Sequence, residues 1–224
     1  MSVEEEVIAL KAQVAELMYR MGVLEDIQAI RTLHFKYGYY FDKWLFSDVV
    51  DLFSEDCEVY FLNGIFKGKK GAKRMWGSGF DINGPSYGVL TEHLMAQDII
   101  DVASDRMTAK ARFRCFMVGG VHETRKENTP IPSQFWEGGV YENTYVKENG
   151  VWKIKVFNYN LVWQAEYAKG WAHSQLDLLM VSPYTKTYPE DPRGPDALKP
   201  GEFRFWPNAV IIPFHYPHPV TGKR

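Results

Sequence analysis

The sequence predicts an α+β fold in which helices pack on one face of a curved antiparallel sheet. Apolar residues recur with the 3.6-residue period of a helix over roughly the first 53 positions, and then alternate with the period of two that is typical of strands. The alternating part contains four long segments joined by short turns. Helices followed by a long series of strands are typical of α+β proteins. With 224 residues, the chain is long enough to form one sizeable core.

Three helices are predicted in the N-terminal part of the chain. Residues 3–21 carry a short coiled-coil seam, with apolar side chains at Val7, Leu10, Val14, Leu17 and Met21. Such a helix is too short to be stable alone, so we expect it to dock on its own domain or on a partner subunit. Gly22 is predicted to break it. A second helix is predicted at Leu24–Phe41 and a third at about Trp44–Phe53, with Ser54-Glu55-Asp56 ending the helical section.

The strand signals begin with a hairpin. Asn63-Gly64 is the strongest short hairpin signal in the chain, between the predicted strand Glu58–Leu62 and its return at Ile65–Lys67. A small helix fits Gly71–Trp76. Four long strands are then predicted at Leu90–Val102, Met107–Val121, about Gly138–Lys147, and Val151–Trp163.

The C-terminal part has a different composition. Nine of the twelve prolines lie between Pro183 and Pro219, a composition that usually indicates a disordered tail. Phe203–Trp206 and Val210–Tyr216 are nevertheless too apolar to stay in solvent, so we expect an ordered strap that wraps the domain or a neighbour. The predicted organisation is therefore an arm (1–22), a central domain (23–176) and a strap (177–224).

Composition excludes several classes of function. A net charge of −2 and a pI near 6.3 argue against nucleic acid or an anionic membrane as the partner. The acidic N-terminus and the lack of an apolar run of about 20 residues predict a cytoplasmic protein. Cys57 and Cys115 are predicted to be buried free thiols. No spacing suggests a metal site, a phosphate-binding loop or a serine nucleophile.

Tyr37, Asp42 and His93 form the strongest candidate site. The predicted second helix closes on Tyr37-x-x-x-x-Asp42, so both side chains project from its last turns, and His93 opens a predicted strand. A strand lying across that helix can bring His93 into hydrogen-bond reach of Asp42. A carboxylate that holds one imidazole nitrogen leaves the other free as a general base near neutral pH. We therefore expect an acid–base site that needs no cofactor and no metal.

Each of these residues also has a purely structural interpretation. His93 could be a strand histidine that forms a hydrogen bond within the core. Asp42 could be the N-cap of the third helix, a role that is compatible with catalysis. Tyr37 lies in a run of aromatic residues, most of which must belong to the core.

Four motifs occur in a characteristic order: Leu24–Arg31, Tyr37-x4-Asp42, Thr91-Glu92-His93 and Gly150–Ile154. Over roughly residues 5–166, this order resembles the SnoaL-like branch of the NTF2-like superfamily. The resemblance implies a cone-shaped α+β barrel with a deep apolar pocket, and an enzyme that eliminates or isomerises without a cofactor. It places the His–Asp pair of that family at His93 and Asp42. It places Tyr37 where several members have a Tyr or Lys that polarises the leaving group.

The sequence differs from the enzymes of that family at two places. Met117 stands where two of them carry a second Asp or His, and the alternating aromatic set of the last strand stands where others carry an Arg. We therefore expect a cavity with few polar groups that binds a flat aromatic molecule. The residues predicted to contact this substrate are Phe157, Tyr159, Trp163, Met117 and Tyr40.

The length, the aromatic pocket and the Pro-rich strap are most similar to bacterial formaldehyde lyases of lignin-derived diaryl compounds. This narrower resemblance implies loss of formaldehyde and water from a diarylpropane diol, with a stilbene as the product. One alternative is a dehydratase or isomerase of a polycyclic or aromatic substrate. Another is a non-catalytic subunit of a ring-hydroxylating dioxygenase. In each case we expect a homo-oligomer, either a dimer or a trimer.

Overall fold

The computed structural model describes residues 2–77, 84–126, 134–173 and 183–223. Within these ranges, three α-helices and one 3-10 helix accompany a curved, unclosed sheet of seven strands, which confirms the predicted α+β class. The helices are α1 (Val3–Asp42), α2 (Phe46–Asp51), α3 (Gly68–Gly77) and the 3-10 helix Trp171–His173. The strands are β1 (Phe53–Phe61), β2 (Gly64–Lys67), β3 (Val89–Val102), β4 (Thr108–Val121), β5 (Gln134–Glu148), β6 (Val151–Glu166) and β7 (Ala197–Leu198).

The sheet has the strand order β3-β4-β5-β6-β1-β2-β7. Its four long strands form an antiparallel meander, as predicted. The pairing of β1 with β6 is parallel, so the prediction of a wholly antiparallel sheet is wrong at this one place. The direction in which β1 enters beside β6 is set by the path of the preceding helices, which alternation within a strand does not reveal.

The first two predicted helices are one continuous helix, and the predicted break at Gly22 is wrong. A single glycine costs a helix interior only about 1 kcal/mol relative to alanine. The lack of a side chain at Gly22 also makes room for Arg106, because a Cβ at this position would lie 2.0 Å from Nη1 of Arg106. Arg106 passes over this glycine and donates from Nε to Asp26 at 2.6 Å.

Asp26 fixes the middle of α1 to the sheet. Its carboxylate accepts hydrogen bonds from Arg106, from Lys147 and, at 2.9 Å, from Nε1 of Trp152. Burial raises the pKa of Asp26, but these donors outweigh burial and hold the pKa below its usual value. The helix is therefore anchored on β5 and β6 by an ionised, buried carboxylate.

The third helix is shorter than predicted. Trp44 adopts a left-handed backbone with φ of 56°, so α2 begins only at Phe46. The predicted end of the helical section at Ser54-Glu55-Asp56 is wrong, because Phe53 already pairs with Ile154 as part of β1. The hairpin after β1 is present, but its turn is formed by Leu62 and Asn63, one residue earlier than predicted.

The core lies between the concave face of the sheet and the C-terminal half of α1. Ile30, His34 and Tyr37 are the buried residues that this half of the helix contributes to it, together with Asp26 and two glycines. The N-terminal half of α1 is exposed along its whole length, and Tyr19 Oη donates to the carbonyl of Ser104 at 3.0 Å. The apolar seam of residues 3–21 is therefore uncovered in the single chain.

The described part of the strap is attached near the β1–β2 turn. Nδ2 of Asn63 donates to the carbonyl of Tyr184 at 2.8 Å, and the Tyr184 N–H donates to Oδ1 of Asn63 at 2.7 Å. A Cβ at Gly64 would lie 2.8 Å from the Tyr184 ring, so a glycine is needed where the strap passes. Strand β7 then extends the sheet beside β2.

The end of the strap crosses the convex face. Arg112 on β4 donates from Nη2 to the carbonyls of Ile212 and Pro213 at 3.0 and 2.8 Å, and it lies under the ring of Phe214. The described part of the strap thus packs on its own domain. The sequence predicted that Val210–Tyr216 would be buried. This prediction is confirmed only in part, because the Ile211 side chain is 82% exposed.

Among the described residues, no helix is both long enough and apolar enough to cross a membrane.

Candidate active site

The end of α1 is tied to the start of β3 by side-chain hydrogen bonds. Nε1 of Trp44 donates to Oγ1 of Thr91 at 3.0 Å, and Oγ1 of Thr91 donates to the carbonyl of Asp42 at 3.0 Å. The left-handed turn at Trp44 directs the indole into the core, where it is 5% exposed. These contacts hold Asp42, the last residue of α1, next to His93, which lies two residues after Thr91 on β3.

Asp42 and His93 are in direct contact. Oδ1 of Asp42 lies 2.7 Å from Nδ1 of His93 and also accepts the His93 backbone N–H at 2.9 Å. Because a carboxylate can only accept, Nδ1 of the imidazole carries the proton and donates it to Asp42. Phe41 packs edge-on against the imidazole at 4.6 Å between ring centroids. The ring is therefore fixed in one tautomer and one orientation.

His93 faces an apolar cavity between α1 and the concave side of the sheet. The cavity has about 620 Å³ of unoccupied space, including the part that opens to solvent. Seven aromatic residues line it: Tyr37, Phe41, Phe61, Trp76, Tyr141, Phe157 and Tyr159.

Tyr37 lines the cavity as well and is 3% exposed. Burial raises the pKa of its hydroxyl well above the usual range, against the opposing effect of hydrogen bonds with Tyr141 and Trp76. The phenol therefore keeps its proton and can act as a hydrogen-bond donor, but not as a base.

The residues predicted to contact a substrate divide into two groups. Met117, Phe157 and Tyr159 line the cavity, whereas Tyr40 and Trp163 are not among the described residues that line it. Tyr40 packs on the periphery of the core.

Trp163 lies on the convex face, next to Phe116 and Trp171. The reason is a bulge in the pairing of β5 with β6, where Gly138 pairs with Trp163 but Gly139 pairs with Leu161. The extra residue reverses the alternation, so Trp163 points outward and the next residue points inward.

Glu137 is a cavity residue that the sequence analysis missed. It lines the cavity and is 8% exposed, with its carboxylate accepting hydrogen bonds from Tyr159 and Gln164. Burial raises its pKa, against the lowering effects of the Tyr159 hydroxyl, the charge of His93 and the Gln164 amide. The predicted strand began at Gly138, four residues after the actual start at Gln134, so it left out Glu137, which lies in phase with the buried Phe135 and Tyr141.

This carboxylate corrects the expectation of a cavity that has lost its polar groups. Met117 does stand at the predicted position on β4, but its cross-strand neighbours are His93 on one side and Glu137 on the other. A second carboxyl group thus enters the cavity from β5 instead of β4.

His34 was also missed, and its role is structural. The ring is fully buried on α1, stacks on Phe113 with 3.9 Å between centroids, and places Nδ1 3.2 Å from the Tyr145 hydroxyl. Burial and the charge of His93 lower its pKa to about 3. His34 is consequently neutral; it does not line the cavity itself, but its ring packs against Tyr37 and Tyr141, which do.

The two cysteines do not line the cavity. Cys57 and Cys115 are free and buried, as predicted. Burial raises the pKa of the Cys57 thiol to about 11 and that of Cys115 further, so neither is a reactive thiolate. Across the described ranges, no group of three or more His, Cys, Asp or Glu side chains could hold a metal ion.

Comparison with known proteins finds a matching family model. A family model described as a SnoaL-like domain matches residues 22–158. A search of curated proteins found no match. A solved structure of a candidate scytalone dehydratase from Novosphingobium aromaticivorans is 26% identical with a TM-score of 0.51, and the match covers 64% of this chain and 89% of that chain.

Two further solved structures share the fold at lower identity. LinA is 17% identical with a TM-score of 0.54, over 67% of this chain and 95% of that chain. A candidate aromatic ring hydroxylase from Novosphingobium aromaticivorans is also 17% identical, with a TM-score of 0.51, over 65% of this chain and 96% of that chain.

Proposed function

Because the chain belongs to the SnoaL-like domain family, we propose that it is an enzyme that eliminates a small group from a hydroxylated aromatic molecule by acid–base chemistry at His93. The supporting observation is the contact of Asp42 with Nδ1 of His93 at 2.7 Å, behind a cavity lined by aromatic side chains. Asp42 fixes the proton on Nδ1 and stabilises the imidazolium that forms when Nε2 accepts a proton. The reaction proposed here requires no cofactor.

Tyr37 supplies the complementary hydrogen bond. Its hydroxyl is buried in the same cavity and retains its proton, so it donates to the oxygen that departs or develops charge. A positioned donor in a cavity that excludes water acts more strongly than the same donor in solution.

The reaction that we favour is loss of formaldehyde and water from a lignin-derived diarylpropane diol. The α-hydroxyl leaves as water, assisted by a para-phenol. His93 then takes the proton of the terminal hydroxymethyl, the adjacent carbon–carbon bond breaks, and its electron pair completes the double bond of a stilbene. The diol is thereby converted to one stilbene, one formaldehyde and one water without any change in redox state.

A coupled assay tests this proposal. Purified protein without added cofactor would receive a racemic phenolic diarylpropane diol, while stilbene absorbance and formaldehyde are recorded together. We expect equimolar stilbene and formaldehyde. Neither product appearing from this diol would contradict formaldehyde loss.

A dehydratase is the second candidate, and it is favoured by the 26% identity to the candidate scytalone dehydratase. In that reaction His93 removes a carbon-bound proton and the hydroxyl leaves as water. An alkene product without formaldehyde would identify it. A non-catalytic subunit of a ring-hydroxylating dioxygenase is less consistent with the site, since such a subunit does not require Asp42 and His93 to meet beside an aromatic cavity.

We also propose that the protein is a homo-oligomer and that the N-terminal arm (1–22) contributes to its interface, beside a central domain (23–176) and a strap (177–224). The arm carries a coiled-coil seam that no other described part of the single chain covers, and Leu10 and Leu17 on it are 60% and 56% exposed. A second copy of the same helix would bury both seams by knobs-into-holes packing.

A further inference from the structure

The cavity contains a buried carboxyl group that the proposed His93–Asp42 chemistry does not use. Glu137 lies on β5 and reaches the cavity between Tyr159 and Gln164, both of which donate to it. Burying a carboxyl group among aromatic rings is costly unless its oxygens have partners. The neighbouring inward positions Phe135 on β5 and Met117 on β4 are apolar.

Glu137 has capacity for a further hydrogen bond. A carboxyl group offers about four acceptor positions, of which the Tyr159 hydroxyl and the Gln164 amide use two. The group also gains a donor when it is protonated, and burial raises its pKa in that direction. A neutral carboxyl group can therefore donate to a ligand and accept from it at the same place.

The position of Glu137 relative to His93 defines the length of the site. His93, Met117 and Glu137 are cross-strand neighbours on β3, β4 and β5, so they form one row across the concave face. With strands about 4.8 Å apart, the backbones of His93 and Glu137 are separated by roughly 10 Å. Their side chains thus project into one cavity from two sides, with aromatic walls between them.

We propose that Glu137, held by Tyr159 and Gln164, is the specificity-determining residue that binds the phenolic hydroxyl of the substrate ring. This proposal rests on the proposed function and adds to it the end of the cavity at which the phenol lies. The aromatic walls hold the ring, Glu137 binds its hydroxyl, and the reacting carbon on the other side of the ring faces His93.

A phenol fits this end of the cavity better than other polar groups do. A hydroxyl matches the simultaneous donor and acceptor capacity of a neutral carboxyl group, whereas a methoxy group can only accept. A ligand with a carboxylate would bring a second acidic group next to Glu137, which is unfavourable. Among the described residues that line the cavity, there is no arginine or lysine to neutralise its charge.

The test is a binding measurement on stilbenes, which are stable and need no turnover. The probes are 4-hydroxystilbene, 4-methoxystilbene and unsubstituted stilbene. Binding is followed by the fluorescence of the protein, since Trp76 lines the cavity. The variants are Glu137→Met, which removes both the donor and the acceptor, Tyr159→Phe and, as the matched control, Glu148→Met at the partly exposed end of the same strand.

We expect the wild-type protein and Glu148→Met to bind 4-hydroxystilbene about tenfold or more tightly than 4-methoxystilbene, because the ether leaves a buried polar group without its partner. Glu137→Met should reduce this preference to about threefold or less, and Tyr159→Phe should reduce it partly. If Glu137→Met does not fold, the reduced preference in Tyr159→Phe decides the matter. An unchanged preference in the folded variants, no preference in the wild type, or no binding of any stilbene would overturn the proposal.

Turnover separates this proposal from the proposed function. If the protein eliminates nothing from the diol but still prefers the hydroxylated stilbene, the proposed lyase activity is contradicted and the role of Glu137 remains supported. Elimination that depends on His93 but shows the same hydroxyl preference with and without Glu137 would support the enzyme and contradict this inference.

Discussion

At the scale of single residues, the contact between Asp42 and His93 matters most because it determines which nitrogen carries the proton. An amide in place of the carboxylate can donate to Nδ1 and thereby favour the other tautomer. We expect Asp42→Asn to lower kcat/KM by about 10²–10⁴-fold with little change in the binding of product. The control is Asp48→Asn, an exposed aspartate on α2. Activity within a few-fold of the wild type would contradict the role of Asp42.

Tyr37 is predicted to act only as a donor. Tyr37→Phe removes one hydroxyl from a ring that otherwise packs between Trp76, Tyr141 and Phe157. We expect kcat to fall by about 10²–10³-fold, as for removal of a single donor from a charge-stabilising site. The free energy of unfolding should also fall by about 1–3 kcal/mol, because Tyr141 and Trp76 lose a buried hydrogen-bond partner. A comparison of kcat with KM measures the effect on catalysis. A rise in KM alone would indicate that Tyr37 contributes only to binding.

His34 gives the fold a specific dependence on pH. Its folded pKa is lowered to about 3, so the folded protein does not take up the proton that the unfolded chain binds below about pH 6.5. The stability associated with neutral His34 is present above pH 6.5 and is lost as the pH falls towards 3. Between pH 6.5 and 4.5 this group should cost about 2 to 3 kcal/mol of the free energy of unfolding.

Urea unfolding at these two pH values, with wild type and His34→Phe, measures that loss. The variant keeps the stacking on Phe113, and Asn143 still donates to the Tyr145 hydroxyl. We expect its stability to fall less between the two pH values, by the same 2 to 3 kcal/mol. Asp26 does not interfere, because its pKa is already lowered from 3.8 and its stability is lost only below that value. An equal pH dependence in both proteins would contradict this role of His34.

At the scale of secondary-structure elements, the attachment of the strap depends on Gly64. A Cβ at this position would lie 2.8 Å from the Tyr184 ring and 3.1 Å from Cβ of Pro195. We expect Gly64→Ala to destabilise the protein by about 1–3 kcal/mol and to make the strap more susceptible to limited proteolysis. Gly77→Ala is the control, since a Cβ there meets nothing within 4 Å. Equal protease resistance in both variants would contradict the close packing of the strap.

Alternation and helical period predicted the long elements well, because each of them buries one face. The four long strands were predicted within a few residues of their ends. Helix α1 was also predicted, except that it was divided into two helices at Gly22. The errors lie where a contact from elsewhere in the chain overrides a local signal. Arg106 fills the space above Gly22, and the strap occupies the space beside Gly64.

The candidate site was predicted in its main contact but not in its composition. The spacing of Tyr37, Asp42 and His93 was sufficient because a helix end and a strand start must lie close in such a fold. Trp163 was placed in the cavity wrongly, since a bulge that reverses alternation is a property of two paired strands and not of one. Glu137 was missed because the start of its strand was predicted at Gly138, four residues after the actual start at Gln134.

At the scale of the whole molecule, the uncovered seam of α1 predicts the state of association. We expect the wild-type protein to form a dimer or trimer, and Leu10→Lys with Leu17→Lys to reduce it to a monomer by placing charges in the packed seam. Light scattering during size-exclusion chromatography measures the mass. Ala12→Lys on the opposite side of the helix is the control. A wild-type monomer, or an unchanged mass in the double variant, would contradict this interface.

The most direct measurement is the rate of turnover of a phenolic diarylpropane diol by wild type, His93→Ala and His122→Ala, with stilbene and formaldehyde recorded together. His122 is an exposed histidine just beyond β4 and serves as the matched control. We expect the wild type and His122→Ala to release both products at equal rates, and His93→Ala to be slower by at least about 10²-fold. Turnover in His93→Ala at the wild-type rate would contradict acid–base catalysis at this histidine.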